Sequence, residues 1–390
     1  MKLESYANGA KAHAGRFKEL VTPARGVSAY RRVVSMKSLV CAGWALFVLA
    51  VPTVASGSGS GSWTATASMA TARAHMTATQ LGNGRILVVG GVGESSTELY
   101  DPATGTWIPG GTLDQPRWLH VAVRLLDGRV LVAGGGAYTP SAELFDPATN
   151  RWTPTGSMNV DRYDFTATLL RDGRVLVVGG LSTSGVQASA ELYDPATGRW
   201  TPTGSLRTPR RNHTATLLAD GTVLVAGGSN ADGWLRSAEL YDPTSGRWKR
   251  AAPMTTAREH ASATLLGNGR VLVAGGGNPS ATLSAELYDP ASGKWSTTGR
   301  MTDYHGPPAV LLQDGRVLLA GSGDAGDVYS PATGTWTATG PRAYPLVGGA
   351  ALALLPTGRV LSVGGERLAN CTPKGCGSEP VASAEVYTPQ

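Results

Sequence analysis

Residues 210–248 read RRNHTATLLADGTVLVAGGSNADGWLRSAELYDPTSGRW, and this one sentence decides the fold. Thr214–Leu218 is a short strand of small side chains, suited to a crowded axis. Asp220-Gly221 predicts a two-residue hairpin turn, because glycine tolerates positive φ. Val223–Ala226 is apolar without alternation, so both faces of this second strand are covered. The glycine pair that follows lets backbones approach closely. After a variable loop, Ala238–Asp242 is a third strand, Pro243–Gly246 a turn, and Trp248 marks a fourth and outermost strand.

The sentence repeats. Trp63, Trp107, Trp152, Trp200, Trp248, Trp295 and Trp336 are spaced 44, 45, 48, 48, 47 and 41 residues apart. Second strands end at Gly91, Gly135, Gly180, Gly228, Gly276, Gly321 and Gly365. Four antiparallel strands per unit, repeated radially, predict an all-β, seven-bladed β-propeller. The Trp63 strand precedes the first unit, and the last unit stops at Tyr387 with no tryptophan strand after it. The expectation is that the Trp63 strand completes the last blade and closes the ring, which removes the exposed edge of an open sheet.

Composition agrees. There are 52 glycines in 390 residues, about twice the usual share, and charged residues are 16%. That excludes a long helical rod. No G-X-Y period runs through the chain, so collagen is excluded. The 42% of apolar residues can fill a large core, which excludes wholesale disorder. The net charge of +6 belongs to one end: residues 1–55 hold eight basic and two acidic residues, leaving 26 of each beyond them. A neutral body lacks the electrostatic footprint of a nucleic-acid binder.

Residues 39–51, LVCAGWALFVLAV, form an apolar run shorter than the ~20 residues a spanning helix needs. Arg31, Arg32 and Lys37 precede it, and Thr53-Val54-Ala55 follows as a small-residue cleavage site. Residues 1–55 therefore read as an export signal cleaved after Ala55, with Met36 as an alternative start. The mature chain is then secreted, periplasmic or displayed on the cell surface, with no stable membrane span. It consists of a Gly/Ser linker, 56–62, and the propeller, 63–390, expected to act as a monomer.

The double glycine, then a tyrosine, then a tryptophan about seven residues later, resembles the kelch repeat. The resemblance covers residues 63–390 and implies a kelch-type propeller.

Strand order places the 2–3 loops, the 4–1 connections and the start of strand 1 on one face. The 2–3 loops vary freely (92–97, 136–141, 181–189, 229–237, 277–284, 366–383), and variable loops on a rigid scaffold commonly carry binding. Five of the six histidines, His75, His120, His213, His260 and His305, fall at the start of strand 1. A ring of imidazoles could bind a metal or hydrogen-bond a ligand. Just before them recur Arg73, Arg117, Arg162, Arg211, Arg258 and Arg342. Aromatics stand nearby: Trp118, Tyr163, Tyr304 and Tyr344, with Trp234 in a 2–3 loop. Flat rings beside fork-like guanidiniums predict a site for a sugar or an acidic sugar. The repeated glutamate of A-E-L-Y-D and the arginine of D-G-R read as structural partners.

Asp303-Tyr304-His305, followed by Val310–Arg316, resembles the Tyr-His segment of galactose oxidase and glyoxal oxidase, copper enzymes with a kelch-like propeller. That resemblance implies Tyr304 and His305 as copper ligands. It reaches the propeller of those enzymes without their C-terminal domain, and His75 stands at the position that resembles their cysteine site. Cys371 and Cys376, in the last 2–3 loop, read as a disulfide in an exported protein. The functional expectation is a module that binds a carbohydrate or a cell-surface protein without a cofactor. The alternative is an enzyme, either carbohydrate-active or a copper oxidase.

Overall fold

A computed structural model describes residues 60–390 apart from 137, 279, 373 and 374. The expected export signal, 1–55, and most of the expected linker, 56–62, lie outside the described residues. Seven four-stranded antiparallel sheets follow one another along the chain, and no described residue is helical. Blade four is typical: Thr214–Leu217, Val223–Ala226, Ala238–Asp242 and Arg247–Ala251 pair in chain order. The innermost strands touch their neighbours all the way round, blade seven meeting blade one. In blade seven the outer strand is Gly61–Thr66, paired with Ala384–Pro389 so that Trp63 stands opposite Tyr387.

The core lies between blades. Leu176, Val178 and Leu192 of blade three pack with Val223, Val225 and Tyr241 of blade four, and each neighbouring pair repeats the scheme. Each tryptophan leans on the aromatic residue opposite it in strand 3, Trp248 on Tyr241 at 5.0 Å. Its indole N–H also donates across to the preceding blade: Trp248 to the Gly204 carbonyl at 2.7 Å, Trp200 to Gly156 at 2.7 Å. Trp63 donates to Thr339 Oγ1 of blade six at 3.0 Å. The repeated tryptophan is thus a staple between blades as well as an edge residue.

The D-G hairpins are one residue wider than expected. In blade four Leu218 N–H donates to the Thr222 carbonyl and Gly221 N–H to the Leu218 carbonyl, so three residues form the loop. Gly221 sits at φ +89°. This is a type I turn closed by a left-handed glycine, a common way to match the twist of the strands. Gly227 has a different reason: a Cβ there would meet the Arg258 carbonyl of blade five at 2.5 Å. The double glycine is where adjacent blades touch backbone to backbone, Gly228 N–H donating to that same carbonyl at 2.8 Å.

Candidate functional site: the channel mouth

The segment entering each blade has a fixed start and a variable end. Its first residue is Arg73, Arg117, Arg162, Arg210 or Arg258 in blades one to five, each at most 1% exposed. Arg162 shows the pattern. Its guanidinium donates to the carbonyls of Gly179 (2.8 Å) and Ser189 (3.0 Å), to Ser189 Oγ (2.9 Å) and to Glu191 Oε1 (2.9 Å). Glu191 also accepts the backbone N–H groups of Asn159 (2.7 Å) and Val160 (3.2 Å). A buried charge has to be paired and hydrogen-bonded, and each blade satisfies that demand within itself.

This arginine girdle corrects three expectations. Arg117, Arg162 and Arg258 are enclosed in ion pairs with Glu143, Glu191 and Glu286 and offer nothing to a ligand. The girdle member of blade four is Arg210, so Arg211 stands one residue further on. The partner of the repeated glutamate is this girdle arginine. The D-G-R arginines pair instead with the aspartate of their own turn, as Arg174 does with Asp172 at 2.6 Å.

The second residue of the segment is Ala74, Trp118, Tyr163, Arg211 or Glu259. Its backbone carbonyl accepts from the start of the 2–3 loop: Val92, Gly136, Leu181, Ser229 and Gly277 N–H respectively, at 2.7–3.1 Å. The pairing fixes the backbone and leaves the side chain free to differ, so this position forms the rim. The third residue is His75, Leu119, Asp164, Asn212 or His260. All five are left-handed, with φ between 53° and 59°. Their N–H groups link neighbouring blades: His75 to the Gly349 carbonyl, Leu119 to His75, Asn212 to Asp164 and His260 to Asn212, at 2.9–3.1 Å. They form a ring around the axis.

The fourth residue turns back between blades. His120 Nε2 meets Thr77 Oγ1 at 3.0 Å and His213 Nε2 meets Thr166 Oγ1 at 2.9 Å, each on the preceding blade. Burial drives both imidazoles down to a pKa of about 3, so they are neutral packing groups rather than ligands at the mouth. The expected ring of histidines therefore splits, and only His75 and His260 belong to the ring.

Blade six departs from the girdle. His305, 2% exposed, occupies the arginine's place. Its Nδ1 meets the Ser322 carbonyl at 2.9 Å and its Nε2 faces Asp327 at 3.4 Å. Asp327 stands where the other blades have glutamate and accepts Thr302 N–H (2.7 Å) and Thr302 Oγ1 (2.6 Å). Nδ1 is thus held by a backbone carbonyl and Nε2 is turned to Asp327. Tyr304 is half-buried, its phenol pKa raised by burial and by Glu259. The copper reading of Tyr304 and His305 does not fit this arrangement, and among the described residues no three His, Cys, Asp or Glu side chains are grouped to hold a metal.

What gathers at the mouth is a different set. Glu259 Oε2 accepts from Ser229 Oγ (2.6 Å) and Asn212 Nδ2 (3.1 Å). Its Oε1 accepts from the indole of Trp234 at 2.9 Å, and His260 Nδ1 lies 3.9 Å away. Burial opposes its ionisation, but these donors and His260 outweigh it and hold its pKa below the usual value. Burial lifts Asp164 to about 6 against the pull of Arg211 and His75. Burial first, then Arg211 and His75, lower His260, with Glu259 opposing them. His75 Nε2 stands 3.5 Å from Glu366, whose pKa His75 lowers.

Of the other expected residues, Trp118 covers Gly136, where a Cβ would run into the indole. Tyr163 meets Tyr138 edge-on at 5.2 Å. Tyr344 lines a groove of about 370 Å³ with Leu346, Arg367, Pro380 and Val381. Cys371 and Cys376 are joined by a disulfide near the tip of the hairpin formed by Glu366–Thr372 and Gly375–Pro380. Sequence reading missed Glu259, Asp164, Asn212 and Glu366. The signal for the first three was present: aligned on the girdle arginine, the next two residues run Ala-His, Trp-Leu, Tyr-Asp, Arg-Asn and Glu-His while the arginine itself repeats.

The Kelch motif matches residues 117–159, 162–207 and 210–255, which are blades two to four with the segments that enter them. Three of the seven propeller blades are thus kelch motifs. No curated protein matches it in sequence. Among solved structures, the kelch propeller is similar to a novel fungal alcohol oxidase of the AA5 family, determined in complex with copper. The TM-score is 0.69 at 20% identity, over 85% of this chain and 76% of that one. At that identity the likeness is one of fold.

Proposed function

We propose that this kelch propeller is an exported binding module that holds a carbohydrate at the channel mouth on its 2–3 loop face. The observation that carries the reading is Glu259, a carboxylate fixed by Trp234, Asn212 and Ser229 at a position where no other aligned blade has an acid. A sugar presents hydroxyls to fixed polar groups and an apolar face to an aromatic ring, and the mouth supplies both. Trp234 is 39% exposed, and Trp118 and Tyr163 share the rim. Export follows from the apolar run and cleavage pattern of residues 1–55. Among the described residues no helix is long and apolar enough to cross a membrane.

The test is a thermal-shift screen of the purified protein against neutral, acidic and amino sugars. A ligand at 100 times its dissociation constant adds about 2.7 kcal/mol if it binds only the folded state. We expect a shift that Glu259→Gln and Trp118→Ala diminish. Absence of any shift, with a cell-surface protein retained by the same face, would replace carbohydrate with a protein partner.

A further inference from the structure

The rim of blade five joins an exposed indole to a carboxylate. Trp234 is 39% exposed, and its N–H is fixed on Glu259 Oε1 at 2.9 Å. The carboxylate has no guanidinium partner of its own: its hydrogen-bond donors are the hydroxyl of Ser229, the amide of Asn212 and the indole, all neutral, and the one basic group beside it is His260 at 3.9 Å, whose pKa burial lowers. Its depressed pKa keeps it ionised at neutral pH. A cation is attracted both to a carboxylate and to the face of an indole, and a site offering the two side by side suits an ammonium group on an otherwise apolar or hydroxylated ligand.

The surrounding charges point the same way. Around the ring, the groups that bear on one another are the carboxyls Asp164, Glu259 and, through His75, Glu366, against one guanidinium, Arg211. Of the arginines that the sequence offered for an acidic sugar, Arg117, Arg162 and Arg258 are enclosed in ion pairs below the rim. An anionic ligand would be repelled by these carboxylates, and such repulsion selects between ligands as surely as attractive contacts do.

The geometry points to an amino sugar as the ligand of this mouth, its free ammonium taken by Glu259 and its apolar face laid on Trp234. This rests on the carbohydrate reading above and narrows it. The experiment is calorimetric titration with three β-linked trisaccharides: glucosamine, its N-acetylated form and a uronic acid. Wild-type protein should bind the glucosamine trimer about tenfold more tightly than the acetylated one, with the uronate weakest. Glu259→Gln should bring the first two within about threefold of each other. Asp164→Asn, which neutralises the carboxyl beside Arg211, should narrow the gap by less. Melting curves of both variants, run in parallel, show that they are folded. Binding of the sugars without preference for the amine, preference for the uronate, or a preference that survives Glu259→Gln would overturn this inference and leave the carbohydrate reading standing. Failure of all three sugars to bind would overturn both.

Discussion

The arginine girdle and the ring above it are two residues apart in sequence and obey opposite rules. In the girdle, blades one to five carry the same residue with the same ion pair, each at most 1% exposed. In the ring and on the rim the backbone bonds are just as regular, yet the side chains are His, Leu, Asp, Asn and His on one and Ala, Trp, Tyr, Arg and Glu on the other. Repetition marks what holds the blades together. Departure on a fixed backbone marks the positions that the scaffold leaves free to differ, and these are the ones the proposed binding reading uses. Blade six reverses the pattern, departing in the girdle itself, where His305 and Asp327 replace Arg and Glu.

The largest effect expected from breaking this division comes from Arg162→Ala. It strands Glu191 as a buried charge and leaves the Gly179 carbonyl without its donor, while the Ser189 carbonyl keeps only the Gly179 N–H. Loss of one partner from a buried pair costs about 3–5 kcal/mol. Chemical denaturation should show that loss, with Arg162→Lys falling between variant and wild type. A cost near that of an ordinary surface substitution would mean that the girdle is not what fixes the segment.

How far the sequence carried this comparison depends on which residues repeat. Seven tryptophans, seven glycine-ended strands and the D-G turns made blade number and strand order readable, since each has a local physical cause. The turn width was misjudged because Asp-Gly serves two-residue and three-residue hairpins alike. The girdle was harder. Arg162 and Glu191 lie 29 residues apart, and nothing local says that they meet. Without that pairing the arginines looked free, and Arg211 looked equivalent to Arg162 when Arg210 is. The histidines misled for a related reason: a shift of one residue, from His75 to His120, moves a side chain from the channel to the interface between blades.

Blade six offers a gentler way to sharpen the comparison. Asp327→Asn keeps an acceptor for Thr302 but removes the charge that faces His305. A hydrogen bond to a charged group contributes about 1.5–3 kcal/mol, so a loss of roughly that size is expected at neutral pH. Burial opposes ionisation of Asp327, yet the bonds from His305 and Thr302 prevail and lower its pKa on folding. A carboxylate lowered on folding stabilises the protein above its unfolded pKa of about 3.9, and that stability disappears as pH falls through the lower folded value. The gap between wild type and variant should close in acid. A gap unchanged down to the acid limit would show that Asp327 acts by shape alone.

The smallest effect tests the ring. Leu119 holds φ +53° with a branched, bulky side chain, whereas the equivalent positions of blades three and four have Asp164 and Asn212, residue types that tolerate this conformation. A non-glycine residue held there costs on the order of 1 kcal/mol, sustained by the structure around it. The bond from Leu119 N–H to the His75 carbonyl at 3.1 Å is part of that restraint. Leu119→Asn should therefore leave the backbone in place and raise stability by up to about 1 kcal/mol, read as a later midpoint in denaturant at unchanged slope. A loss instead would mean that the leucine side chain, half-buried at the mouth, contributes more by packing than its backbone costs. Blade two would then close its sector of the ring with an apolar wall, and the polar site would be confined to the arc from Asp164 through His260 to His75.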